Sequence, residues 1–183
     1  MIPDASQDAL PVPPGIGDRP ARLHAIHHTL EEVERKTRAI HADVLATSPH
    51  VREPNFQAIG VDDLQSLFDR YDADLYDGLL RQFLKEDRGS AISFRLSKRM
   101  TNAAGKASRQ RLDLNRPSGT VAPFAYEIAV STTILFGSFN AQDQPMKVGG
   151  RLCHDRLEAL QRTFEHETLH VAEFLAWGVS NCS

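Results

Sequence analysis

Five residues near the C-terminus, His166-Glu167-Thr168-Leu169-His170, have the types and spacing that metal-assisted hydrolysis needs. On a helix, positions four apart share a face, so both imidazoles can be aimed at one ion. The carboxylate directly after the first histidine then lies beside that ion, where it can take a proton from a metal-bound water. This is the HExxH pattern of zinc-dependent hydrolysis, and Zn2+ is the expected cofactor.

Two histidines leave such a site short of a third protein ligand. Only thirteen residues follow His170. Glu173 lies three positions past it, and helical side chains lean toward the N-terminus, so its carboxylate could reach back to the ion. It could equally stand behind a ligating imidazole and orient it. The spacing leaves both roles open. Cys182 lies beyond the expected helix end, and His154 is about three turns upstream and off the ligand face. His24, His27, His28, His41 and His50 are remote in sequence and are expected to face solvent.

Eight histidines raise the odds of an accidental HExxH match. The setting of the motif argues against accident. At about 100° per residue, Leu157, Leu160, Phe164, Val171 and Leu175 fall on one side of the helix. His166, His170, Glu173 and Trp177 cluster opposite. Both sides are therefore expected to be covered, one by the core and one by the floor of a cleft. The ordinary alternative for Glu167 is a helical ion pair, but Thr163 and Val171 occupy the positions four away.

The elements that must hold this helix follow from periodicity. The 183 residues are 41% apolar and 25% charged with net charge −3, the profile of one globular domain with no whole-chain attraction to nucleic acid or membrane. Residues 1–20 carry four prolines before the first basic residue and no apolar stretch, so a disordered leader is expected rather than a signal peptide. No run is long enough to span a membrane. Residues 21–47 read as one helix with Leu23, Ile26, Leu30, Val33, Ile40, Val44 and Leu45 at helical spacing. Residues 48–60 read as a linker. A helix over about 61–85 carries Leu64, Leu67, Phe68, Tyr71, Leu75, Leu79 and Phe83, with a bend expected at Gly78.

Alternation then predicts a strand over Ala91–Leu96 and a return strand over Ala107–Leu114, joined as a hairpin. A third strand is expected over Tyr126–Leu135 and a loop over 137–150. The motif helix spans about 152–177, with Gly178 as its C-cap. The fold class is α+β: N-terminal helices, a mixed or antiparallel sheet of about three strands, and a central C-terminal HExxH helix. The domain proper is assigned to 61–183, with helix and linker over 21–60. Cys153 and Cys182 flank the helix, roughly 40 Å apart, too far for a disulfide, so reduced thiols and a cytoplasmic setting are expected.

Between Arg95 and Arg116 stand seven basic residues, Arg95, Lys98, Arg99, Lys106, Arg109, Arg111 and Arg116, and one acidic residue, Asp113. A basic hairpin beside a cleft could contact DNA phosphates weakly. No aromatic ladder interleaves it, and a solvated hairpin explains the same charges.

In combination, several segments resemble the SprT-like (Spartan-related) zinc metallopeptidase family. Phe68-Asp69-Arg70-Tyr71-Asp72-Ala73-Asp74-Leu75-Tyr76-Asp77-Gly78 is similar to the family's opening helix, where an aromatic-rich stretch ends in a glycine turn. Ser93 to Met100 followed by Ala104-Gly105-Lys106 resembles its first strand and hairpin, and Glu127-Ile128-Ala129-Val130-Ser131 the strand before the motif helix. The likeness covers about residues 61–178. It implies a zincin-like minidomain that hydrolyses peptide bonds in a protein or peptide substrate, with His166 and His170 as zinc ligands and Glu167 as catalytic acid/base. Typical members carry a third histidine well after the helix, whereas this chain stops at Ser183. Either Glu173 serves, which keeps an active enzyme, or the domain is a degenerate or truncated one that binds zinc, DNA or a partner without cutting.

Overall fold

A computed structural model describes residues 17–87, 90–112, 123–139 and 145–180. The expected leader falls almost wholly outside these residues, as do Asp113, Arg116 and Cys182. The architecture is α+β, with six helices, a three-stranded mixed sheet and a two-stranded ribbon among the described residues. None of the described helices is long and apolar enough to cross a membrane.

The first expected helix is two helices, α1 (Arg19–His24) and α2 (Leu30–Thr47). The break has a local cause. Thr29 is extended, its hydroxyl accepts from Glu32 N at 3.2 Å, and the Glu32 carboxylate accepts from Thr29 N at 2.7 Å. That reciprocal box starts a new helix and outcompetes continuation through residues 25–29. The helix α1 also begins inside the segment expected to be disordered. Arg19 is buried, donating to Glu86 at 3.2 Å, to both Asp87 carboxylate oxygens at 2.8 and 3.0 Å, and to Phe83 O at 3.2 Å. Nor does residue 60 bound a packing unit. Ile40 and Val44 of α2, and Val51 and Phe56 of the supposed linker, share one core with the motif helix.

The bend at Gly78 is present, separating α3 (Val61–Leu75) from α4 (Leu79–Glu86). Asp77 and Gly78 both take positive φ, 52° and 76°. Buried Asp72 then caps α4, its carboxylate accepting from Leu80 N at 2.8 Å and Arg81 N at 3.1 Å.

The expected hairpin is not formed. Strands β1 (Ala91–Ser97), β2 (Gly105–Arg111) and β3 (Phe124–Ser131) lie in the order β1-β3-β2. The first pair is parallel, from Ala91 opposite Ala125 to Ser97 opposite Ser131; the second is antiparallel, from Gly105 opposite Val130 to Arg111 opposite Phe124. Consecutive Ile128, Ala129 and Val130 are all buried, so β3 is apolar on both faces and takes the centre. The charged strands β1 and β2 take the edges, where side chains such as Arg95 and Lys106 reach water.

The third strand also ends earlier than expected. Ser131 accepts from Ile134 N at 3.1 Å and caps a short helix, α5 (Thr132–Gly137). The same hydroxyl donates to Met100 O at 2.5 Å, while Thr133 donates to Lys98 O at 2.8 Å, pinning the β1–β2 connection. Part of the expected loop over 137–150 is instead a ribbon, β4 (Met146–Val148) paired with β5 (Arg151–Cys153). Its turn is Gly149-Gly150, with φ of 55° and 79°, the positive pair a tight hairpin needs.

The motif helix, α6 (Arg156–Trp177), starts at Asp155, whose carboxylate accepts from Glu158 N at 2.9 Å, and ends at left-handed Gly178. It packs against every other helix and against β2 and β3. Leu157, Leu160, Phe164, Val171 and Leu175 are buried as the wheel predicts. Phe164 lies between Tyr71 and Phe94, each ring centroid 6.1 Å away.

Candidate metal centre

Mid-helix on α6, exposed His166 and half-buried His170 turn their imidazoles toward each other. Their Nε2 atoms stand 3.0 Å apart. Two nitrogens bound at 2.0–2.1 Å to a tetrahedral ion would be separated by about 3.3 Å, so a small adjustment would seat one.

Glu173 lies at the other nitrogen of His170. Its Oε2 is 3.7 Å from His170 Nδ1, and Ser180 Oγ stands between them, 2.6 Å from Nδ1 and 2.5 Å from Oε2. The carboxylate thus sits behind the imidazole, on the side opposite the facing Nε2 atoms. Trp177, placed on the same face by the wheel, packs against His24 with ring centroids 5.3 Å apart. Among the described residues, no three His, Cys, Asp or Glu side chains converge as a ready-made ligand set.

Glu167 is buried, unlike its neighbour His166. Its Oε2 accepts from Ala107 N at 2.6 Å, on the edge of β2 that β3 leaves free. Gly105 makes that approach possible, because a Cβ there would stand 2.7 Å from both Glu167 Cγ and Thr163 Cγ2. The base and the edge strand are therefore in direct contact. Neither Gly105 nor Ala107 was marked as a site position by the spacing of ionisable residues, since both contribute only backbone.

Next to the motif, a polar cluster ties α6 to α2 and α3. Glu165 accepts from Thr37 Oγ1 at 3.2 Å, Tyr71 OH at 3.1 Å and Arg162 at 2.7 Å. Burial, then the Glu165 charge, pushes the Tyr71 phenol well above its ordinary range. Nearby, a cleft of about 570 Å3 between α2 and the start of α6 is lined by Glu34, Arg38, His41, Asp155 and Arg162 among others, but by none of the three motif residues.

The upstream histidines are divided. His24, His27 and His50 are exposed; His28 and His41 are half-buried, with His28 Nε2 3.1 Å from Leu75 O and His41 Nε2 3.9 Å from Asp155. His154 is exposed and donates its backbone N–H to Glu158. Cys153 is a buried free thiol, pushed up in pKa chiefly by that burial.

Arg95 and Arg109, both considered for DNA contact, are engaged internally. Arg95 forms a two-bond pair with Glu127 at 3.0 and 2.9 Å across the parallel strands. Arg109 donates to Gly178 O at the end of α6 and lies over the Phe124 ring, 3.5 Å from its centroid. Lys98, Arg99, Lys106 and Arg111 are exposed.

Comparison with known protein families, characterised proteins and solved structures finds no match to this chain.

Proposed function

We propose that the protein is a zinc-dependent peptidase of SprT-like type, with His166 and His170 as ligands and Glu167 as the base. The observation that carries this is the facing pair of Nε2 atoms 3.0 Å apart on a helix whose next carboxylate is buried against an edge strand. A bound zinc ion would act as a Lewis acid and lower the pKa of a water in the site. Glu167 would take the proton from the attacking water and deliver it to the leaving amine. The short bond from Ala107 N holds one carboxylate oxygen, fixing its direction while the other oxygen handles the proton. Exclusion of water around Glu167 strengthens its electrostatic effect on the reacting atoms. Glu173 would act from behind His170 in the resting arrangement, and becomes a ligand only by leaving Ser180.

The described residues supply two imidazoles and no assembled third ligand, which favours a second reading: a zinc-binding domain that does not cut. Elemental analysis of the purified chain and a protein-cleavage assay, with and without DNA, separate the two. The expected result is one zinc per chain and cleavage that Glu167→Gln abolishes while zinc is retained. Stoichiometric zinc with no cleavage selects the second reading, and a chain that takes up no zinc at neutral pH overturns both.

A further inference from the structure

We propose that Ser180 is a positioning residue that sets the tautomer of His170 and so prepares its Nε2 lone pair for a metal. This deepens the zinc reading above and rests on it. The hydrogen-bond inventory leaves one consistent assignment. A serine hydroxyl has a single proton and two lone pairs, and an ionised carboxylate only accepts. The 2.5 Å separation of Ser180 Oγ from Glu173 Oε2 is the length of a charge-assisted O–H···O bond, so the hydroxyl proton goes to Glu173. Ser180 can then only accept from His170 Nδ1, 2.6 Å away, and Nδ1 must carry the ring proton. In a neutral imidazole that leaves Nε2 with its lone pair, aimed at His166 Nε2. Glu173 cannot do this alone, because its Oε2 stands 3.7 Å from Nδ1, outside hydrogen-bond range.

The fold explains how a residue beyond the helix comes to this place. Gly178 takes a left-handed φ of 74° and its N–H bonds to Phe174 O at 3.0 Å, so the chain turns back over the last turn of α6. Arg109, from the edge strand, donates to Gly178 O and holds that turn from the other side. Two residues later the Ser180 hydroxyl arrives at the rear of His170. Edge strand and helix end thus both bear on the site, one on the base Glu167 and the other, through this turn, on the ligand His170.

The experiment uses the full chain freed of metal. Long-range 1H–15N correlation spectra read the His170 tautomer directly, and competition with a chromophoric chelator reads zinc affinity. The expected result is the Nδ1–H tautomer in the parent chain, its loss in Ser180→Ala, and an affinity about 10- to 100-fold weaker in that variant, the usual effect of removing an outer-shell partner. Ser180→Thr keeps a hydroxyl and should recover both readouts, which a general loss of structure would not permit. An Nε2–H tautomer in the parent chain, or unchanged tautomer and affinity in Ser180→Ala, overturns the role of Ser180 while leaving the zinc reading intact. A parent chain that binds no zinc overturns the zinc reading, and this proposal with it.

Discussion

Adding one methyl group at Gly105 tests the contact between the edge strand and Glu167. A Cβ built there lies 2.7 Å from Glu167 Cγ, 2.7 Å from Thr163 Cγ2 and 2.8 Å from Glu167 Oε1. Carbon atoms rest at about 3.5–4.0 Å, so the overlap is roughly 1 Å against two side chains at once. Neither yields easily. Thr163 is buried and β-branched, with few rotamers on a helix, and Glu167 is held by its 2.6 Å bond from Ala107 N. Either α6 moves off β2, or Glu167 swings out and leaves a half-buried amide without its acceptor. Overpacking costs about 1–3 kcal/mol. A lost acceptor adds about 1–3 kcal/mol, and the reduced freedom of the unfolded chain returns about 0.4–1 kcal/mol. Taking the middle of each range, Gly105→Ala should lose about 3 kcal/mol.

Urea unfolding measures this. With an m-value of about 2 kcal/mol/M, the midpoint should fall by about 1–2 M. Gly137→Ala is the control, because a Cβ at Gly137 meets nothing within 4 Å and its φ is not positive; its midpoint should hold or rise slightly. A Gly105→Ala midpoint equal to that of the control would show that the strand and the base are not in the close contact described.

Two further perturbations address the core. Buried Arg156 donates to Leu135 O at 3.0 Å, Asn55 O at 3.1 Å, Ser138 O at 2.8 Å and also Phe56 O, so Arg156→Met strands several carbonyls. A loss of about 3–5 kcal/mol is expected, which for a chain of this size lowers Tm by about 6–20 °C; a calorimetric shift under about 3 °C would refute it. The tyrosines predict the alkaline limit. Burial pushes Tyr71 well up and Tyr126 to about 12. A raised folded pKa contributes stability in full below the unfolded value near 10 and loses it as pH rises toward the folded value. Each phenol can therefore remove up to about 1.4 kcal/mol per pH unit above pH 10. Absorbance at about 295 nm should show these two phenols ionising together with the loss of far-UV circular dichroism. Their reversible ionisation near pH 10 in an intact fold would contradict the burial.

Much of α6 was legible because one strong period, from Leu157 to Leu175, ran up to a glycine cap at Gly178; its start was not, since Arg151–Cys153 is a strand and Asp155 caps the helix later than the expected residue 152. The bend at Gly78 was legible for a similar reason, since left-handed backbone favours glycine. Thr29 hid its break because a threonine inside a helical period looks like any exposed position until its bond with Glu32 is seen. Thr132-Thr133-Ile134 reads as strand by β-branching, yet the Ser131 cap makes it helical. Strand order was not legible from alternation, which reports one buried face per strand and not which neighbour lies beside it; the clue was the unbroken apolar run at Ile128-Ala129-Val130. At the site, the side chains that could meet a metal were visible from spacing. Ala107 and Ser180 were not, because their parts depend on an edge amide and a chain reversal that no local pattern encodes.

The central place of β3 also dictates an order of events during synthesis. The strands β1 and β2 leave the ribosome first, connected by a short turn, yet neither is the other's partner. Until residues 124–131 are made, each presents unpaired backbone, and the nearest available strand for each is the wrong one. The antiparallel β2–β3 pair can zip once residues 124–131 are made, but β3 must also take its place beside β1, and that parallel pairing is a long-range step that slows folding. The Ser131 and Thr133 hydroxyls, which grip the β1–β2 turn at Met100 and Lys98, reach that turn only once β3 is in place. They act as a latch on the finished sheet, and a nascent chain lacking β3 would have to be kept from the premature hairpin by other means.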